Sequence, residues 1–285
     1  MLRRAFMFAS LVGVVQVGGL GCMREHFEHD GYGGSSIVFG IDQTKNAEGK
    51  LTTSVGYEML DIRNRGWSAR GFASADRSCW AERLDDRLGQ PRVAGGVATF
   101  QGGLLPAGGI AVVANRDGDL TLDGAAWTNA GEALTFESRG FAMPDIPPVQ
   151  VRVPSLDLAI VSPADAAAEV PVRVDQELEV GWTPSDPAAP YESVVASLIA
   201  PLADQPNARG VELRCFFERT AGTGRLPTAL LERFATLVGG APGTAIKGKL
   251  RLATHRQLTI FAPGDWTVYV VATAEQREQA FAIQR

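Results

Sequence analysis

Short runs of alternating apolar and polar residues, closed by glycine or proline, recur along most of this chain and leave few folds open to it. Leu51, Thr53, Val55, Tyr57 and Met59 alternate with Thr52, Ser54, Gly56 and Glu58. Successive strand side chains point to opposite faces, so such a run buries one face and wets the other. Val97 to Phe100, Asp119 to Asp123 and Ala133 to Glu137 read the same way, and Ile110 to Val113 is a short apolar run suited to a buried strand. Turn residues separate them at Pro106 to Gly109, Asp117-Gly118, Asp123-Gly124 and Asn129 to Gly131. Strands of this length and spacing predict a mainly β, sandwich-like domain over residues 35–153. The one helical candidate there is Ala81 to Leu88, where Leu84 and Leu88 lie four apart.

Pro144, Pro147, Pro148 and Pro154 mark a semi-rigid linker, with Val149 to Val153 as a strand inside it. The expected boundary falls at Val153, giving a second β-sandwich domain over 154–285 that should fold alone. Leu156 to Ile160, Glu177 to Trp182, Val194 to Leu198, Val211 to Phe217, Lys249 to Ala253, Thr259 to Phe261 and Trp266 to Ala272 are its strands. Leu178, Val180, Trp182, Phe234, Trp266 and Val268 are its expected core. One short helix interrupts them, Pro227 to Val238, with Leu230, Phe234 and Leu237 at helical spacing and Gly239-Gly240 as its stop.

Two stretches carry this half furthest: Leu178-Glu179-Val180-Gly181-Trp182-Thr183, and Leu213-Arg214-Cys215-Phe216-Phe217 followed by Gly222 to Leu231. They resemble immunoglobulin-like or fibronectin-like modules of bacterial envelope proteins, and their order is similar to that in envelope lipoproteins of myxobacterial type. The resemblance covers Leu156 to Ala272 and implies an Ig-like sandwich with one inserted helix. It implies no function, because such modules share a fold and little else. No second cysteine lies in this half to pair with Cys215 in the antibody manner.

The N-terminus has a different character. Arg3 and Arg4 head an apolar run from Ala5 to Val17, followed by Gly18-Gly19-Leu20-Gly21-Cys22. A basic head, an apolar middle and a small-residue end make a secretory signal, here 1–21, and the run is short for a membrane span. Gly21-Cys22 resembles a bacterial lipobox, although Gly19 and Leu20 stand where that pattern favours Leu and a small residue. The resemblance implies cleavage before Cys22, acylation of that cysteine, and anchoring in the cell envelope. Met23 in place of Asp favours the outer membrane over the inner. Residues 22–34 then form a polar, glycine-ended tether. His26 and His29 sit there among Glu25, Glu28 and Asp30, but a tether offers no rigid frame for a metal.

The formal charge of −5 over 285 residues becomes −7 once Arg3 and Arg4 are removed, and no basic cluster offsets it. That argues against a nucleic-acid partner. Apart from Cys22 the cysteines are Cys79 and Cys215. In an oxidising compartment two readings stand: a disulfide across the two halves, or two separately buried thiols.

Catalytic patterns are lacking. Outside the tether the one histidine is His255, and no Gly-x-Ser-x-Gly elbow occurs. One histidine and two distant cysteines make a poor zinc set. Asn115 to Asp119 begins like a calcium loop, but Leu120 and Ala126 occupy its glycine and glutamate positions, so an Asp-Gly turn is expected. Gly222-Thr223-Gly224 lacks the Lys-Ser/Thr of a phosphate loop and reads as a turn. Trp67, Trp80 and Trp127 are the candidate ligand-facing aromatics, as a sugar-stacking platform, against the alternative of core packing. The expectation is thus a non-enzymatic envelope lipoprotein without cofactor or metal, held to the membrane by Cys22. It would bind or assemble with a protein or glycan partner. A carbohydrate-binding or adhesion module and an unrecognised hydrolase are the alternatives.

Overall fold

A computed structural model describes residues 35–45, 49–61, 79–83, 96–113, 120–140, 145–164, 168–184, 192–204, 210–240, 243–263 and 266–284. The fold is mainly β, with sheets layered as sandwiches and, among the described residues, one α-helix. The first eight strands are β1 (Ser35–Lys45), β2 (Leu51–Asp61), β3 (Cys79–Arg83), β4 (Val97–Gln101), β5 (Ile110–Val113), β6 (Leu120–Asp123), β7 (Ala133–Arg139) and β8 (Ile146–Arg152). The next six are β9 (Ile160–Ser162), β10 (Val170–Arg173), β11 (Leu178–Trp182), β12 (Ser193–Ala200), β13 (Val211–Glu218) and β14 (Thr223–Leu226). Helix α1 (Thr228–Val238) precedes the last two, β15 (Ile246–Ala262) and β16 (Trp266–Gln284).

The last two strands organise everything else. They pair antiparallel along their whole length, 17 and 19 residues, far beyond the usual five or six. At one end β16 takes β1 as a parallel neighbour, Ser35 opposite Trp266 and Gln43 opposite Ala274. At the other end it takes β10, Val170 opposite Phe281. The resulting nine-stranded sheet runs β3-β13-β12-β15-β16-β1-β2-β6 with β10 beside the far end of β16. Strands from both halves of the sequence therefore share one sheet.

Two smaller sheets cover this one. The sheet β5-β4-β7-β8 closes a first core over Ile37, Phe39, Ile41, Val268, Val270 and Ala272, with Phe39 against Phe136 at 5.0 Å. The sheet β14-β11-β9 and helix α1 close a second core over Val194, Leu213, Leu250, Leu252 and Phe281. Leu258 and Ile260 of β15 serve the first core, Ile246, Leu250 and Leu252 the second. All have the same parity on one strand, so both small sheets sit over the same face of the ribbon. In β16 the parity changes instead, from Val268, Val270, Ala272 and Ala274 to Phe281 and Ile283. A bulge does this: Leu252 pairs Arg277 while Ala253 pairs Glu275, leaving Gln276 as the extra residue.

Several sequence expectations change here. Cys79 to Arg83 is a strand, so Ala81 does not start a helix; Cys79 and Ala81 turn inward against Cys215 and Leu213. Leu156 to Ala159 is not strand, and pairing in this segment starts at Ile160. The two short strands expected at 249–253 and 259–261 are one. Trp266 and Val268 belong to the first core, not the second. The chain crosses between cores at 153–158, with Val153 in the first and Leu158 in the second, but the ribbon brings it back. Pro147 and Pro148 lie in β8, at the edge of its sheet, where a missing N–H costs least. Helix α1 buries Leu230, Leu231, Phe234, Ala235 and Val238, and stops at Gly239 with φ +80°.

Candidate functional site

A buried polar cluster lies at the seam between the two small sheets, above the ribbon. Ser155, within the crossing, donates from its backbone N–H to Glu192 Oε1 at 3.1 Å and from its hydroxyl to Oε2 at 3.5 Å. Glu192 immediately precedes β12, and its side chain is wholly buried. Arg219, in the turn after β13, donates from Nη1 to Glu192 Oε1 at 2.7 Å and also to Ser155 Oγ. Arg256 on β15 approaches Glu192 Oε2 at 3.6 Å. Burial pushes the Arg256 guanidinium below its ordinary pKa; Glu192 pulls it back up, while Arg152 and Arg219 push with burial. An arginine remains charged through such shifts.

The bulged Gln276 completes this seam. Its Nε2 donates to Ser155 O at 2.9 Å, and its Oε1 accepts from the Leu158 N–H at 2.9 Å. The Thr254 hydroxyl donates to the same Ser155 carbonyl. Each core also sends one indole to the seam. Trp127 Nε1 donates to Pro154 O at 3.0 Å, and Trp182 Nε1 donates to Arg219 O at 2.7 Å. Chemically the cluster is a hydrogen-bonded ion network around Glu192, in which Arg219 Nε and Arg256 Nε are buried without a hydrogen-bond partner among the described residues. The Ser155 hydroxyl lies between a carboxylate and a guanidinium, and among the described residues no imidazole bonds it. What the cluster does is hold the crossing segment rigidly to both cores.

A second polar region lies on the face of the large sheet turned away from the second core. Register places Trp80, Arg214, Ser197, Arg251 and Glu278 across it. The Trp80 indole stacks on Phe216 at 5.3 Å, and Phe216 meets His255 edge-on at 4.9 Å. Arg214 pairs with Glu212 at 2.8 Å; Arg251 pairs with Glu275 and Glu278, each at 2.9 Å; Lys249 reaches Glu278 at 2.6 Å. Burial alone would lower the Arg251 pKa, but the Glu278 hydrogen bond and the neighbouring carboxylates hold it above its ordinary value. Burial raises the Glu275 carboxyl. Burial and then the Arg214 charge drive His255 down to about 3, so this imidazole is neutral at ordinary pH.

The sequence-predicted residues fare differently. Cys22, Trp67, His26, His29 and Asn115 to Asp119 lie outside the described residues. Trp127 is wholly buried in the first core, which corrects its reading as a ligand-facing ring: its indole plugs the core and reaches the seam. Trp80 is half-buried on the other sheet face, so Trp80 and Trp127 form no common platform. Cys79 and Cys215 sit opposite one another on β3 and β13 and are bonded, with Cα atoms 4.1 Å apart. The bond therefore joins neighbouring strands of one sheet. Gly222 turns at φ +71°, and Gly224 enters β14 under the Phe217 ring, where a Cβ would come within 2.6 Å of it. His255 lies within β15. Among the described residues no three His, Cys, Asp or Glu side chains gather as for a metal, and no helix is long and apolar enough to cross a membrane. The seam residues come from seven separate segments, at Trp127, Pro154 to Leu158, Trp182, Glu192, Arg219, Thr254 to Arg256 and Gln276, and no spacing in the sequence marks them.

No protein-family model matches the chain, and no curated protein matches it. Among solved structures it is similar to the crystal structure of chicken CNTN1 FN1-FN3 domains, at 10% identity and a TM-score of 0.21. The match covers 87% of this chain and 63% of that one, so the chain spans less than two thirds of that neighbour. A likeness this distant carries nothing about function.

Proposed function

We propose that this chain is a lipid-anchored, non-enzymatic protein of the bacterial envelope, held through Cys22 at the outer membrane and used for binding or assembly. What supports this reading is the sequence pattern of a basic head, an apolar run and Gly21-Cys22, followed thirteen residues later, at Ser35, by the first described strand of the double sandwich. More than one acyl chain on Cys22 would suffice for stable anchoring. The seam supports a scaffold role, because Ser155 and Arg219 both bond the buried Glu192 carboxylate and tie the crossing segment to β12 and β13. The Trp80, Phe216 and Arg214 strip is the surface offered to a protein partner, since tryptophan and arginine carry much of the energy at interfaces. Replacing Cys22 by Ser tests the anchor. The variant should leave the membrane fraction and appear in the aqueous phase of a detergent partition; full retention in the detergent phase would reject it.

A further inference from the structure

The β15–β16 hairpin tip lies at the end of the molecule where the tether arrives. Ser35 opens β1 directly beside Trp266, the first residue of β16, and Ala262 closes β15 opposite the same Trp266. Next to that turn Phe261 is 71% exposed, the most exposed large apolar side chain among the described residues. Its neighbours Ile260 and Trp266 are half-buried against the first core, so the tip is braced from behind. The tether from Cys22 to Ser35 is thirteen residues long. A chain of that length spans at most roughly 45 Å when fully extended. Whatever holds Cys22 therefore lies within that reach of the hairpin tip.

The geometry points to the hairpin tip as a second membrane contact, with Phe261 seated in the lipid headgroup region. This rests on the lipid-anchor reading and adds an orientation to it. A lipid chain alone sets no orientation for the body. An aromatic ring at the interface fixes which end faces the bilayer, as aromatic rings do at membrane boundaries generally. The ribbon then stands away from the surface. Phe281 lies fifteen positions beyond Trp266 on β16, roughly 50 Å further out at strand rise. The second core and the Trp80 strip are thus presented away from the membrane, where a partner can reach them.

The test uses the full, acylated protein reconstituted into phosphatidylethanolamine–phosphatidylglycerol vesicles containing brominated lipid. With Cys22 acylated and Cys79 bonded to Cys215, a new cysteine is the sole labelling site. A fluorophore at Pro263→Cys, beside Phe261, should be quenched several-fold more than one at Arg173→Cys, an exposed position at the far end of the ribbon. Adding Phe261→Ser to the Pro263→Cys protein should abolish the difference. Equal, weak quenching at both positions in protein that floats with the vesicles would overturn this inference and leave the anchor standing. Protein that does not float would overturn both.

Discussion

The two cores solve the same burial problem with different parts. The first is sheet against sheet, closed by β5-β4-β7-β8 and plugged by Trp127. Gln43 holds that plug in place, its Oε1 accepting from the Ala126 N–H at 2.7 Å and from the Trp127 N–H at 3.3 Å. The second has a smaller covering sheet, β14-β11-β9, and fills the gap with α1 and the Cys79–Cys215 bond. Yet each buries one tryptophan whose indole reaches the same seam, and each uses one half of the same ribbon. The difference shows that the covering layer is interchangeable between sheet and helix. The shared strands and the seam are common to both cores and join them.

The largest expected effects come from those two tryptophans. Trp127→Ala and Trp182→Ala should each cost about 3–5 kcal/mol, by lost transfer energy and the cavity left behind. If the ribbon couples the cores, urea unfolding of either variant stays a single transition by fluorescence and circular dichroism. Two separated transitions would break the comparison into two independent domains. Glu192→Gln should follow at about 3 kcal/mol, because it leaves the buried Arg219 and Arg256 without a counter-charge. That loss should loosen both cores together, seen as faster amide exchange in β8 and β11 alike.

Smaller effects separate the cores instead. Replacing Cys79 and Cys215 together by Ala removes a link across 136 residues, at a cost of about 2–4 kcal/mol in equilibrium unfolding. Exchange should rise in β3 and α1 before it rises in β4 or β7. His255 gives a pH signature. Burial keeps it neutral in the folded chain down to about 3, while the unfolded chain takes up a proton near 6.5. Its contribution is intact above pH 6.5 and is lost as pH falls towards 3, at about 1.4 kcal/mol per pH unit within that window. His255→Leu should flatten this part of the stability profile relative to the parent. An unchanged slope would show that the imidazole is not buried neutral.

Much of the fold was legible locally. The alternation at Leu51 to Met59, Val97 to Phe100 and Ala133 to Glu137 marked true strands, and the leucine spacing after Pro227 marked α1. What escaped was long-range. Nothing near Ser35 announces a parallel partner at Trp266, since that pairing is set by core packing between distant segments. The length of the ribbon was hidden by polar residues at its middle, where Arg256, Gln257 and Glu275 to Gln279 interrupt the apolar pattern. The bulge at Gln276 then shifts the period itself. Trp127 misled because composition alone does not distinguish a core indole from an exposed one. Among the candidate site residues, Cys79 and Cys215 were visible as two odd thiols, but their cross-strand register was not.

The central claim is that one ribbon serves both cores, so the half of the chain after Val153 is not self-sufficient. Amide hydrogen exchange of residues 154–285 expressed alone, compared with the full chain, tests it most directly. Without β1, β4, β7 and β8, the amides from Leu258 to Ala274 should exchange rapidly, while those of β12 and β13 keep most of their protection. Equal protection of Leu258 to Ala274 in both proteins would contradict the account.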